Sequence, residues 1–207
     1  MSKRASEYQF DLSGGVLCLD FANTVSRRQA PEHITDHLSG YADLVAFDGQ
    51  SKVVSPEEAH DLLAHAGLHG TEASRSFRKA ISLRESLYRA FSAIAAGNRA
   101  AANDVEQINN AAIEALNHRK LAHANSGYRW EWNWTGKDTL DRAIWPVAQS
   151  AAELLTSAAL DGVRECDAPD CAWLFLDQSR NRSRRWCDMK TCGNRQKARR
   201  HYHRARV

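Results

Sequence analysis

Apolar residues recur at three- and four-residue steps from Glu72 to Ala96, where Phe77, Ala80, Ile81, Leu87, Tyr88, Phe91, Ile94 and Ala95 predict one long amphipathic helix. Gly97 and Asn98 supply its stop. Upstream, Ser55, Pro56 and Glu58 make a capping pattern with proline at the first helical position, so a helix is expected to about Ala66, closed by Gly67 and Gly70. A shorter helix is expected over Tyr41 to Phe47, with Asp48 and Gly49 as a turn. Val105, Ile108, Ala112 and Leu116 predict a further helix starting at Asn103, with Glu106 at its third position. From Asp138 to Leu160 the helical pattern returns with Leu140, Ile144, Val147, Ala151, Leu154, Leu155 and Ala158, and Pro146 is expected to kink it.

Two stretches depart from this period. Tyr128, Trp130, Trp132 and Trp134 alternate with Arg129, Glu131 and Asn133, a period of two that predicts a strand. Its aromatic face is expected to pack on helices, with the wall of a ligand pocket as the alternative. Near the N-terminus, Gly14 and Gly15 open an apolar run to Val25, expected as a strand passing into a helix. Asp20 and Asn23 inside that run, together with Arg84, are polar residues set among apolar ones. They are candidate contacts for a small-molecule effector; a buried salt bridge or helix cap is the competing assignment. Cys18 is expected to be a small core hydrophobe.

Charge changes the picture most near the C-terminus. The 207-residue chain carries a formal +3, yet residues 180–207 alone hold eleven Lys and Arg against one acid, Asp188. The 43% apolar content is ordinary for a folded protein. The first ten residues are too polar for a signal peptide and no apolar run reaches membrane-spanning length, so a cytoplasmic protein without membrane partners is expected. In a reducing compartment, clustered cysteines point to metal more often than to disulfides.

Cys166 and Cys171 form one pair, and Cys187 and Cys192 a second pair with the same four-residue gap. Four thiolates from two short turns suit a closed, structural zinc site; two disulfides are the alternative. Between the pairs, Ala172 to Asp177 reads as a strand and Gln178 to Ser183 as a turn, predicting a hairpin that returns to Trp186 and Cys187. The second pair runs into a helix expected over Asn194 to Arg206, seated on the finger by Ala198, Tyr202 and Ala205. Knuckle, hairpin and helix form a treble-clef layout. The fold class expected is α+β, mainly α: a mixed helix-strand domain over residues 1–160, then a treble-clef four-cysteine zinc finger over residues 161–207.

The basic residues on the finger are candidate nucleic-acid contacts: Arg180, Arg182, Arg184, Arg185, Lys190, Arg195, Lys197, Arg199, Arg200, His203, Arg204 and Arg206. Arg195, Arg199 and Arg200 are the candidate base readers. No nucleophile-base pair, phosphate loop or paired-carboxylate motif supports catalysis, so a non-enzymatic protein is expected. A metal-dependent nuclease would need an open metal position, and His201 and His203 lie beyond the cysteines.

Cys192-Gly193-Asn194-Arg195, following the run from Cys171 to Arg180 and that from Ser183 to Met189, resembles the CGNR zinc finger. The run from Leu17 to Thr24 resembles the opening motif of the ABATE domain. The resemblance implies a bacterial stress-related transcription regulator with Cys166, Cys171, Cys187 and Cys192 as zinc ligands. DNA is the implied partner, with RNA or a ribosome the alternative. The N-terminal half is then a sensing or dimerising domain, open to a small-molecule effector or to homo-oligomerisation.

Overall fold

The computed structural model describes residues 8–133 and 139–204. Trp134, Asp138, Ala205 and Arg206 lie outside the described residues, as do the side chains of Arg200, His203 and Arg204 within their helix. The long apolar period becomes helix α4, after α1 (Leu17–Ala22), α2 (Tyr41–Gln50) and α3 (Pro56–Leu68). Helix α4 (Gly70–Ala95) buries Ala80, Leu83, Leu87, Ala90 and Phe91, while Phe77, Ile81, Tyr88 and Ile94 pack at the rim of the same core. It touches α1, α2, α3 and α5 (Ala102–Asn117), so it is the element the others are arranged around.

The predicted α3 start forms as a full capping box: Ser55 Oγ accepts from Glu58 N, and Glu58 reaches back to Ser55 N at 2.7 Å. The helix continues to Leu68, leaving only His69 between α3 and α4. Asp48 and Gly49 do not break α2, which runs through them to Gln50. The glycine-led segment near the N-terminus is helical from Leu17 with no strand between Gly14 and Leu17, because Gly15 at φ 79° turns the chain and Asp20 accepts from Gly14 N at 2.7 Å. Cys18 is fully buried in α1, and burial pushes its thiol up to about 12, as befits a core residue.

Three expectations are corrected. Helix α5 starts at Ala102, one residue early, and buries Asp104, Ile108, Ala112 and Ala115, leaving Val105 and Leu116 exposed. The ion pair from Arg89 to Asp104 at 2.5 Å fixes that rotation, which apolar counting does not register. Pro146 lies in the first turn of α6 (Trp145–Leu155), where its missing N–H costs nothing; 3-10 turns at Thr139–Ala143 and Ala158–Gly162 flank the helix. The aromatic strand pairs with its own neighbour rather than packing broadly on helices.

That pair is β3 (Arg119–His123) with β4 (Tyr128–Trp132), antiparallel, with Leu121 opposite Trp130. Only Trp132 reaches the core, tilted against Trp145 at 6.0 Å; Tyr128 and Trp130 are exposed. The Arg119 guanidinium covers part of this face, 4.8 Å from Trp132 and 5.4 Å from Trp130. A shorter antiparallel pair joins β1 (Val25–Ser26) to β2 (Thr35–Asp36).

The last pair carries the core across into the finger. Strand β5 (Val163–Glu165) pairs antiparallel with β6 (Leu174–Leu176), and Val163, Leu174 and Leu176 belong to the same apolar cluster as α1, α4 and α6. Strand β6 therefore pairs backward to β5, not forward toward Trp186 as its sequence predicts. Among the described residues no strand lies between Asp177 and Cys187. The forward stretch carries Arg180, Arg182 and Arg185, which stay exposed beyond the apolar face that β6 buries.

Candidate metal centre and nucleic-acid surface

The β5–β6 hairpin holds the first cysteine pair in its loop. Cys166 N–H donates to Trp173 O at 2.9 Å and Cys171 N–H to Ala168 O at 2.9 Å, closing a knuckle. Ala172 at φ 60° then turns the chain into β6. The second pair is shaped by Asp188, whose carboxylate accepts from Lys190 N and Thr191 N, both at 3.1 Å, and so caps a π-helical turn, Met189–Gly193. Gly193 lets the Met189 side chain lie against the turn, where a Cβ would sit 2.8 Å from Met189 Sδ and push that flexible side chain aside. The turn delivers Cys192 and opens into α7 (Asn194–Arg204).

All four thiols are buried, and their Sγ atoms lie within 4.8 Å of one another. Cys171 and Cys187 are 3.7 Å apart, as are Cys187 and Cys192. A tetrahedral centre with metal–sulfur bonds of about 2.3 Å separates its sulfurs by about 3.8 Å, whereas a disulfide needs about 2.05 Å. The donor set thus fits one tetrahedral ion and excludes the disulfide alternative. Crowding also makes the thiols share protons unequally: hydrogen bonds from Cys171, then Cys187 and Cys192, hold Cys166 far below the usual thiol range, and Cys171 and Cys187 are driven far above it by the same contacts. A divalent cation resolves that competition by taking the place of the protons.

The finger's basic residues fall into two groups. Arg184 lies over the Phe175 ring at 4.5 Å, donates to Trp186 O at 2.9 Å and also to Cys187 O, so it is part of the scaffold. Arg185 pairs with Asp167 at 2.7 Å. Arg195 donates to Cys192 Sγ at 3.1 Å and faces Asp170 at 3.5 Å, with Arg199 above it 3.8 Å from the same carboxylate. By contrast Arg180, Arg182, Lys190 and Lys197 are exposed and form no ion pair among the described residues.

The seating of α7 is corrected too. Ala198 and Tyr202 are exposed, and Arg195 with Arg199, one helical turn apart, face the knuckle instead. Attraction of two guanidiniums to Asp170 and to thiolate sulfur outweighs what an alanine and a tyrosine gain by burial. Asp170 is the residue that sequence reading missed. An acid directly before the second cysteine, opposite a strongly basic helix, was the available signal.

Asp20, Asn23 and Arg84 are each committed inside the protein. The Asn23 amide donates to Leu174 O and its carbonyl accepts from Leu174 N, both at 2.8 Å, so it clamps α1 to β6. Trp173 Nε1 adds a bond to Val25 O at 3.0 Å. Arg84 grips Asp36 with two bonds of 2.7 Å and also reaches Thr24 and Glu85. A cavity of about 250 Å³ does exist, lined by Lys79, Gln107, Asn110, Glu114, Asp141 and Trp145 and by no residue of the Tyr128–Trp132 strand. A smaller cleft of about 180 Å³ lies between Arg27 and the finger's Asp170, Thr191 and Arg195.

Burial pushes the Asp20 carboxyl up to about 7, against the opposing bond from Gly14 N–H. Between roughly pH 4 and pH 7 the folded protein therefore holds a proton that the unfolded chain has released, and stability falls as pH rises through that window. The full preference corresponds to about 4 kcal/mol. Residual solvation of the carboxyl reduces it, and about 2 kcal/mol is expected. Asp20→Asn keeps the acceptor for Gly14 but has no titration. Urea denaturation should show the variant gaining about 2 kcal/mol on the wild type between pH 5 and pH 8; an unchanged difference would mean that Asp20 is ionised throughout.

The fold and the centre define a mainly helical protein whose core continues into a four-cysteine finger. The chain belongs to the ABATE family, described as "Putative stress-induced transcription regulator", which matches residues 15–158, and a CGNR zinc finger follows over residues 163–205. No curated protein matches the chain significantly. Among the described residues no helix is long and apolar enough to cross a membrane.

Proposed function

We propose that the chain is a DNA-binding regulator, not an enzyme, whose finger is held by Zn²⁺. Four thiolates in tetrahedral array suit this borderline-soft ion and leave no position open for a substrate. Zinc supplies cross-linking here, and the protein's own groups do the binding. The observation that carries the reading is the division among the cations: Arg184, Arg185, Arg195 and Arg199 are held by protein acceptors, whereas Arg180, Arg182, Lys190 and Lys197 are left to meet phosphates. Arg195 and Arg199 then support the surface from beneath instead of leading the base contacts. The cavity between α4, α5 and α6 is the place for a small-molecule effector.

Four phosphate contacts give a log–log salt slope near −3.6, or roughly a 100-fold loss of affinity for duplex DNA between 50 and 200 mM salt. Alanine at Arg180, Arg182, Lys190 or Lys197 should each flatten the slope by about 0.9, measured by fluorescence anisotropy. A slope that none of the four variants changes would remove this surface from the reading. Preference for an RNA duplex in competition would replace DNA by RNA as the partner.

A further inference from the structure

The corner between α3 and α4 carries a second cluster of metal-ligating side chains, remote in sequence from the finger. Its position follows from the backbone. His69, the only residue between the helices, has φ −126° and ψ 55°, so the axis changes direction there. Helical hydrogen bonding nevertheless continues across it: His69 N–H donates to His65 O and Ala73 N–H to His69 O, both at 3.0 Å. His65 and His69 consequently share a face one turn apart, and Glu72 follows in the first turn of α4.

The two imidazoles stack with ring centres 4.2 Å apart. One donor atom from each of His65, His69 and Glu72 lies within 4.8 Å of the other two. Among the described residues none of the three makes a hydrogen bond or ion pair with any other side chain, so their lone pairs are uncommitted. His65 and Glu72 are half-buried and His69 is exposed, which leaves one side open to solvent.

We propose that His65, His69 and Glu72 form a binding site for a divalent first-row transition-metal ion. Two neutral imidazoles and a carboxylate suit Zn²⁺, Cu²⁺, Ni²⁺ or Co²⁺ rather than Ca²⁺ or Mg²⁺, which prefer all-oxygen shells. Three protein ligands leave further positions for water, unlike the closed sulfur site of the finger. A bound ion would join the last turn of α3 to the first turn of α4. Helix α3 buries only Leu62 fully, so that link would add to a sparse attachment.

Co²⁺ distinguishes the two centres, because thiolate ligation gives intense charge-transfer bands that imidazole and carboxylate ligation lacks. Full-length protein already holding one equivalent of zinc should take up one equivalent of Co²⁺ with weak d–d absorption only. His65→Ala and Glu72→Gln should each weaken that uptake at least roughly 100-fold, since even outer-shell partners are worth up to that much. The finger's own zinc, counted by elemental analysis in the same variants, verifies that they are folded. Total uptake of a single ion, uptake only at millimolar Co²⁺, or a second equivalent indifferent to both substitutions would each overturn the site.

Discussion

Stripping the four-cysteine centre with a strong chelator, or replacing Cys187 and Cys192 by serine, is expected to abolish nucleic-acid binding and to melt the knuckle and residues 178–204, while the ABATE helices and the β6 strand packed on them persist. The buried apolar content specific to the finger is Ala168 and Phe175 beside the cysteines, with Trp173 and Trp186 only partly covered. So small a cluster cannot offset the chain entropy of ordering the knuckle, the arginine-rich loop and the π turn. Metal binding in comparable fingers contributes about 10–16 kcal/mol, on the scale of the whole stability of an ordinary domain. The α1–α6 core has its own large residues, including Phe21, Phe47, Phe91 and Val147, and needs no ion. The expected result is loss of near-ultraviolet signal from Trp173 and Trp186, with most far-ultraviolet helix signal retained. Binding of DNA with unchanged affinity by the double serine variant would show that the metal is not what orders the surface.

The cysteines and α4 were legible because their signals are local. Equal ligand gaps need only the chain between them, and the period of Phe77, Ala80, Ile81, Leu87 and Phe91 reports a face directly. What escaped was decided by partners distant in sequence. The sequence points β6 into a forward hairpin toward Trp186, and only Val163 and the core beneath α1 turn it back onto β5. Apolar spacing puts Val105, Ile108, Ala112 and Leu116 on one face of α5, whereas the buried face keeps Ile108 and Ala112 and takes Asp104, bonded to Arg89, in place of Val105 and Leu116. The apolar residues of α7 point to one seating, but a single acid, Asp170, draws the still-exposed Arg195 and Arg199 toward the knuckle instead. Pro146 permits either a kink or a helix start, and the choice depends on whether the preceding residues form α-helix or a 3-10 turn.

Asn23→Ala is expected to be the most damaging single substitution in the N-terminal half, although Asn23 touches neither metal nor any free cation. Its amide serves both backbone groups of Leu174, which no other side chain reaches among the described residues. Alanine leaves a buried N–H and a buried C=O without partners, at about 1–3 kcal/mol each. Up to about 6 kcal/mol is therefore at stake, with the larger part falling on the docking of β6 against α1. Because β6 emerges from the knuckle that holds Cys166 and Cys171, the loosened docking should also raise the apparent dissociation constant for the finger's metal. Denaturant titration of the zinc-loaded variant measures the first effect, and competition with a chelator the second. A destabilised variant whose finger keeps wild-type metal affinity would show that the two halves share a surface without sharing energy. Joint loss of both would make Asn23 the mechanical link through which an event in the ABATE half reaches the basic surface.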